Sequence, residues 1–394
     1  MSGLFSGLEA QPADGLLRLI VLFRDDPRPG KIDLGVGIYR DDDGATPVLK
    51  SVKAAERILL ETQDSKSYLG PDGDVGFVER LEPIVFGAGA DTSRLSGVQT
   101  PGGTGALRLA AELIARARPG ARIWTGTPTW PNHAPIFEAA GLDIAPHPFF
   151  DPETQRIEFA AMMNALEGAE PGDTVLVHGS SHNPTGAELD EGQAEALAEL
   201  IVRRGLVPLI DLAYQGLGHG LEEDAQLTRL LLAACDEALI AYSCDKNFGL
   251  YRERVGALWV QAPDAQAVDV ARQNMLVIAR GIWSMPPDHG AAIVRVILER
   301  EDLTQMWRQE LDEMRGRISG LRQKLADSHP LFAGAARQTG MFALLPLSPE
   351  AVAELREMHG IYMAGNGRIN IAGLTDETVD VFVAAAAPLL RVFA

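Results

Sequence analysis

The sequence predicts an α/β protein: a large domain with a mainly parallel sheet between helices, plus a smaller α+β domain. Three observations lead there. Short β-rich runs alternate with longer helical patterns through the middle of the chain, the rhythm of strands returned by crossover helices. The C-terminal third changes character, with one long charged helical pattern followed by two brief strand-like runs. Finally, 394 residues at 46% hydrophobic and 23% charged are enough for two or more domains with sizeable cores.

The elements follow in order. Residues 1–40 read as an N-terminal arm that joins the small domain, 41–286 as the large domain and 287–394 as the small C-terminal domain. Candidate strands lie at 122–126, 174–178, 207–212, 238–243 and 257–260. Between them, 188–204 is amphipathic, with Leu189, Ala196, Leu197, Leu200 and Ile201 along one side. Sites in such sheets gather beyond the carboxyl ends of the strands. His178, Asp211 and Ser243 fall at or near those ends. Further on, 301–328 is a long helical pattern, and 341–346 and 368–371 are strand-like. Pro286-Pro287 breaks regular structure and marks a boundary, with 281–290 as a hinge or site loop. There is no internal repeat or low-complexity tract.

Charge narrows the function classes. The net charge is -19, from 54 acids against 35 bases. Such a surface disfavours nucleic acid and anionic membranes. It leaves an anionic substrate open, because a local arginine pair overrides the global field. The two cysteines, Cys235 and Cys244, lack metal-ligand spacing and suit a reducing cytosol, so no metal is expected. The first ten residues carry no basic run ahead of an apolar block. No apolar run reaches the roughly 20 residues that span a bilayer. The expected location is cytoplasmic.

The most informative stretch is Ser243-Cys244-Asp245-Lys246-Asn247-Phe248-Gly249-Leu250-Tyr251-Arg252-Glu253-Arg254. A lysine just past an apolar strand suits a buried amine, whose lowered pKa lets it attack a carbonyl. Arg254, eight residues on, suits an anion, binding phosphate through its planar fork. An aldehyde partner for Lys246 and a phosphate partner for Arg254 together describe pyridoxal 5'-phosphate.

Upstream stretches supply the rest of such a site, each with a plainer alternative. Pro101-Gly102-Gly103-Thr104-Gly105 opens a helical run, whose free N–H groups and the Thr104 hydroxyl suit a phosphate. A simple capped turn fits as well, and the pattern does not match the dinucleotide fingerprint. Trp130 offers a flat face for a pyridine ring, or is a core tryptophan. His133 suits the support of a nearby carboxylate, or a satisfied structural role. Asn183, held before Pro184, is placed to donate to a phenolate oxygen, or belongs to an Asx turn. Asp211 ends an apolar run, where a protonated ring nitrogen would be a fitting partner; the alternative is a helix N-cap, with Tyr214 as packing. Arg280 and Arg368 each suit a substrate carboxylate or an ordinary surface ion pair.

These pieces, in this order, resemble the fold-type I pyridoxal-phosphate aminotransferases of subgroup Iα, the group of bacterial aspartate and aromatic-amino-acid enzymes. The resemblance runs from Gln11-Pro12-Ala13-Asp14 and Leu34-Gly35-Val36-Gly37 through Tyr68-Leu69-Gly70 and His182-Asn183-Pro184-Thr185-Gly186 to Gly367-Arg368-Ile369-Asn370. It implies a covalent link at Lys246, which also shuttles the substrate proton. Asp211 is implied to pair with the pyridinium, backed by His133 and His178. Asn183 and Tyr214 hold the phenolate, and Trp130 stacks on the ring. Gly103, Thr104, Ser243 and Arg254 bind phosphate, with Tyr68 from a neighbouring subunit. Arg368 takes the α-carboxylate, helped by Gly37 and Asn183, and Arg280 of the neighbour takes a distal carboxylate. A homodimer with shared sites follows from the resemblance.

The implied activity is ping-pong transamination between amino acids and 2-oxo acids, with 2-oxoglutarate as acceptor and pyridoxamine phosphate as the intermediate cofactor form. Aromatic donors are expected, with aspartate and glutamate also used. A dedicated aspartate enzyme is the alternative, and a non-catalytic binding protein on the same shell a remoter one. Two departures stand out. Asp245 replaces the serine usual before the lysine, and is expected to turn away or to pair with a cation such as Arg254. Met285 replaces an asparagine common in the aspartate enzymes, and an apolar residue there suits an aromatic side chain.

Overall fold

The computed structural model describes residues 3–10 and 15–390; the stretch Gln11-Pro12-Ala13-Asp14 lies outside them. Seven strands form the central sheet: β1 (Leu95–Pro101), β2 (Arg122–Thr127), β3 (Asp143–Pro148), β4 (Thr174–His178), β5 (Val207–Leu212), β6 (Ala238–Ser243) and β7 (Val255–Gln261). Their order is β1-β7-β6-β5-β4-β2-β3. Pairing from β6 through to β3 is parallel, whereas β7 runs antiparallel to both of its neighbours. The cause is local. β6 and β7 are joined by residues 244–254 with no helix between them, and a return that short only permits antiparallel pairing. This loop, the one that carries Lys246, is therefore left at the carboxyl edge of the sheet.

Register brings three chain segments together at that edge. Val255 sits opposite Pro101, and Gly256 opposite both Thr100 and Ser243. The Lys246 loop thus lies beside the start of helix Gly102–Ala117. Helices cover both faces, so β6 and β7 are buried at every position and read as nearly continuous apolar runs.

The amphipathic stretch at 188–204 forms helix Glu191–Arg204, starting three residues later than the apolar pattern. Asp190 accepts from Gln193 N in a capping box, and Gly205 ends the helix at φ 65°. Helix Glu301–Ser328 buries Leu303, Trp307, Leu311, Met314, Ile318, Leu321 and Leu325, a helical stripe that faces the core. It packs against helices Lys50–Thr62 and Asp288–Glu299. Two short strands, Phe342–Leu344 and Arg368–Asn370, pair antiparallel, and Ile32–Asp33 pairs in parallel with Ile361–Tyr362. No helix among the described residues is long and apolar enough to cross a membrane.

Candidate active site

A cavity of about 250 Å³ opens at the carboxyl edge of the sheet. Its walls include Lys246, Asp211, Tyr214, Asn183, Trp130 and Arg368, together with Gly37, Gly103, Thr104, Ser243 and Arg254. Strand ends place most of them. Asp211 lies one residue before the end of β5, so it is not a helix cap. Ser243 ends β6.

Asp211 is one of two buried carboxylates of the site, with Asp245. His133 Nε2 bonds its Oδ2 at 3.0 Å, and His133 Nδ1 bonds Thr129 Oγ1 at 2.9 Å. Burial alone pushes the Asp211 carboxyl up, but the His133 bond, with His178 and Lys246 nearby, leaves it below its ordinary value. Ligand atoms of His133, His178 and Asp211 lie within 4.8 Å of one another. His178 is pushed down to about 3 by burial and by His133, so this ring is neutral at physiological pH, and its Nε2 has no hydrogen-bond partner.

Lys246 Nζ lies 5.4 Å from the centre of the Tyr214 ring. Burial lowers the pKa of its amine, against the opposing pull of Asp245 and Asp211. The Tyr214 hydroxyl accepts from Asn183 Nδ2 at 3.3 Å. Burial, reinforced by Asp211, raises its pKa and keeps it protonated. The Asn183–Pro184 peptide bond is cis.

Arg368 is buried, and no carboxylate partner pairs with it among the described residues. It donates to Gly35 O at 2.8 Å and to Asn183 Oδ1 at 3.4 Å, while its Nε is left without a partner. Its guanidinium lies 4.4 Å from the centre of the Phe342 ring, and burial lowers its pKa. Phe342 also explains Gly37: a Cβ there would come within 2.6 Å of the Phe342 ring. A buried cation with an idle donor is costly unless a ligand anion completes it.

The other end of the cavity is a cradle of backbone. Helix Gly102–Ala117 begins at Pro101 with no side-chain cap, which leaves its first N–H groups free. Gly102 adopts φ +70°, and a Cβ on it would meet Arg254 Nη2 at 2.6 Å. At Gly103 the same atom would stand 3.1 Å from Ser243 Cβ. Only glycine leaves this space open, next to a hydroxyl and a guanidinium. Arg254 itself adopts the left-handed φ of 54°, rare for a side chain of its size. Asp245 is buried and ion-paired with Arg254, the second of its two expected placements, and its Oδ1 accepts from Val255 N at 3.1 Å.

Two expected residues are not at this cavity within the chain. Tyr68 is 94% exposed. Arg280 is exposed near the end of helix Ala265–Ile282 and donates to Ser284 Oγ at 2.9 Å. Five cavity residues had no role expected from the sequence: Val36, Leu107, Ala213, Tyr251 and Phe342. Tyr251 shares the Lys246 stretch and was within reach of it; its hydroxyl accepts from Tyr39 N at 2.8 Å. Phe342 carries no local signal, because its partners Gly37, Tyr214 and Arg368 are all remote in sequence.

An amine with a lowered pKa, a buried carboxylate in the same cavity and an uncapped helix start beside an arginine are groups that suit pyridoxal phosphate. Comparison agrees: residues 29–385 match the family described as aminotransferase class I and II, and the chain belongs to that family of pyridoxal-phosphate-dependent enzymes. It is 54% identical to a tyrosine aminotransferase of Rhizobium meliloti (strain 1021), covering 96% of this chain and 98% of that one. Identity is 44% to an aspartate aminotransferase of Salmonella typhi, over 95% and 97% of the two chains. A solved aromatic-amino-acid aminotransferase from Burkholderia pseudomallei, described as covalently bound to pyridoxal phosphate, superposes with a TM-score of 0.95 at 36% identity, covering 99% of this chain and all of that one. The chain is thus an aminotransferase by fold and by family.

Proposed function

We propose that this enzyme transfers the amino group of aromatic amino acids, and also of aspartate and glutamate, to 2-oxoglutarate. The observation that carries the reading is one cavity shared by a lysine of lowered pKa, a buried aspartate and a buried arginine without a carboxylate partner. The names of the relatives, tyrosine, aromatic-amino-acid and aspartate aminotransferase, support the substrate range.

The residues divide the work. Lys246 Nζ would hold the cofactor aldehyde and, as a neutral amine, would take the proton from the amino acid Cα and return it as an acid. Pyridoxal 5'-phosphate supplies the aldehyde and the electron sink when bound. Asp211, held by His133, keeps a ring nitrogen protonated. Asn183 and Tyr214 would hold the cofactor's ring oxygen, and Trp130 would offer a face on which the ring could stack. Gly103, Thr104, Ser243 and Arg254 grip the phosphate. Arg368, with Asn183 and the Gly37 backbone, binds the α-carboxylate and so aims Cα at Lys246.

We infer further that two copies complete each other's sites. Leu69 N bonds Met285 Sδ at 3.0 Å, so the Tyr68 loop and the Arg280–Met285 turn form one exposed surface. On this reading Tyr68 reaches the phosphate, and Arg280 the distal carboxylate, of the other copy. The two cysteines are unpaired and buried, which together with the acidic surface suits the cytoplasm.

The test is a donor panel with 2-oxoglutarate as acceptor, combined with borohydride reduction and peptide mapping. The expected result is a tag on Lys246 and kcat/KM for phenylalanine or tyrosine at least matching that for aspartate. A preference for aspartate above roughly tenfold would instead identify a dedicated aspartate enzyme.

A further inference from the structure

We propose that Asp245 is a built-in anion that shares Arg254 with the cofactor phosphate, so that this enzyme holds its cofactor more by the Lys246 bond than by the phosphate. The inference rests on the reading of the cavity as a pyridoxal-phosphate site. Arg254 Nη1 is already engaged, by Asp245 Oδ2 and by Tyr251 O at 3.2 Å. Among the described residues no hydrogen bond engages Nη2 or Nε, and Nη2 is the atom nearest to the Gly102 cradle. The fork that would grip a phosphate with two parallel donors is therefore divided, one arm to the carboxylate and one to the ligand.

Asp245 has little freedom to give way. It is 2% exposed, its Oδ1 is bound by Val255 N, and Val255 is fixed opposite Pro101 in the β1–β7 ladder. Its backbone N–H donates to Ser243 Oγ at 3.3 Å, which leaves the Ser243 O–H to donate to a ligand. The other cation close by is Lys246, whose charged form burial disfavours. A carboxylate and a phosphate then face one guanidinium, and their mutual repulsion is offset only in part. If Arg254 turned fully to the phosphate, Asp245 would be left as a buried charge without its cation.

The consequence appears when the covalent bond is absent. In the half of the cycle that follows amino transfer, Lys246 is free, and the phosphate contacts must retain the cofactor together with Asp211. A divided Arg254 grip predicts that this form leaves more readily, and that sustained turnover needs free cofactor in the medium.

The experiment compares wild type with Asp245→Asn and Asp245→Ser. Apoprotein is titrated with pyridoxal 5'-phosphate and, separately, with inorganic phosphate, by calorimetry. Holoprotein is incubated with an amino donor and gel-filtered, and the retained cofactor is read by absorbance. Thermal melts confirm that the variants are folded. The expected result is affinity about tenfold tighter in both variants for both probes, the order of one charge contact at a partly exposed site, with more cofactor retained after the donor step. Equal or weaker binding by the variants, with wild type still binding the cofactor, overturns this inference alone. Failure of all three proteins to bind pyridoxal 5'-phosphate overturns the reading of the site as well.

Discussion

Lys246, partly buried, and Arg368, buried, are both basic groups that the fold draws away from water without supplying a full complement of partners. Burial lowers the pKa of each. For the lysine this is an activating device; for the arginine it is an affinity for carboxylate held in reserve. Lys246→Ala is expected to abolish the borohydride tag and to lower transamination by at least about 10³-fold, measured as kcat with phenylalanine. Arg368→Lys keeps the charge but loses the planar fork. Its KM is expected to rise roughly tenfold or more for aromatic and dicarboxylic donors alike, since every amino acid has the α-carboxylate. Arg280→Ala should raise KM for aspartate and glutamate and leave that for phenylalanine nearly unchanged. Steady-state kinetics on the two variants separates the roles.

At the scale of elements, the site depends on how strands end and on what stands behind them. His178, at the end of β4, is held neutral by burial, its pKa lying at about 3 against an ordinary 6.5. Between those values an unfolded chain carries a proton on this imidazole that the folded chain lacks. Stability from this group is therefore complete above about pH 6.5 and is lost as pH falls toward 3. His182 is shifted in the same direction, again chiefly by burial. Calorimetric melting temperatures should fall with pH across this window, and His178→Gln should make the fall shallower. Helix Glu301–Ser328 contributes differently. Its buried Arg322 donates to Gly340 O at 2.9 Å, Thr339 O at 2.7 Å and Ala335 O at 3.3 Å, and also to Phe342 O. Burial pushes that guanidinium down to about 9. This clamp sets the turn before strand Phe342–Leu344, and with it the ring beneath Arg368. Arg322→Met leaves four carbonyls short of a donor and is expected to cost roughly 3 kcal/mol in urea unfolding.

For the whole molecule, the proposal of shared sites makes the dimer a functional requirement. Light scattering should give twice the chain mass. A mixture of Lys246→Ala and Arg280→Ala subunits, unfolded and refolded together, should transaminate aspartate with a lower KM than Arg280→Ala alone, while Lys246→Ala alone is inactive. One site in each mixed dimer then has an intact lysine from one copy and an intact arginine from the other. An unchanged KM, with mixed dimers demonstrated by mass spectrometry, would place Arg280 outside the partner's site.

Much of this protein was legible along the chain, because the relevant signals are local. An apolar β run that ends in a polar residue marks a strand tip, and that logic locates Asp211, Ser243 and the loop of Lys246. The stripe on helix Glu301–Ser328 is equally local, and its bounds coincide with the pattern. Direction and convergence are different matters. The antiparallel course of β7 depends on the absence of a crossover helix, and the place of Phe342 against Gly37 and Arg368 depends on how two distant segments meet. For Asp245 the sequence left two placements open, and the β6–β7 return, which folds the chain back on itself, selects the pair with Arg254. Periodicity and residue type specify which side of an element is buried and where it stops. Which remote side chains then share one cavity is settled by packing, where close contact, desolvation and charge act through space rather than along the backbone.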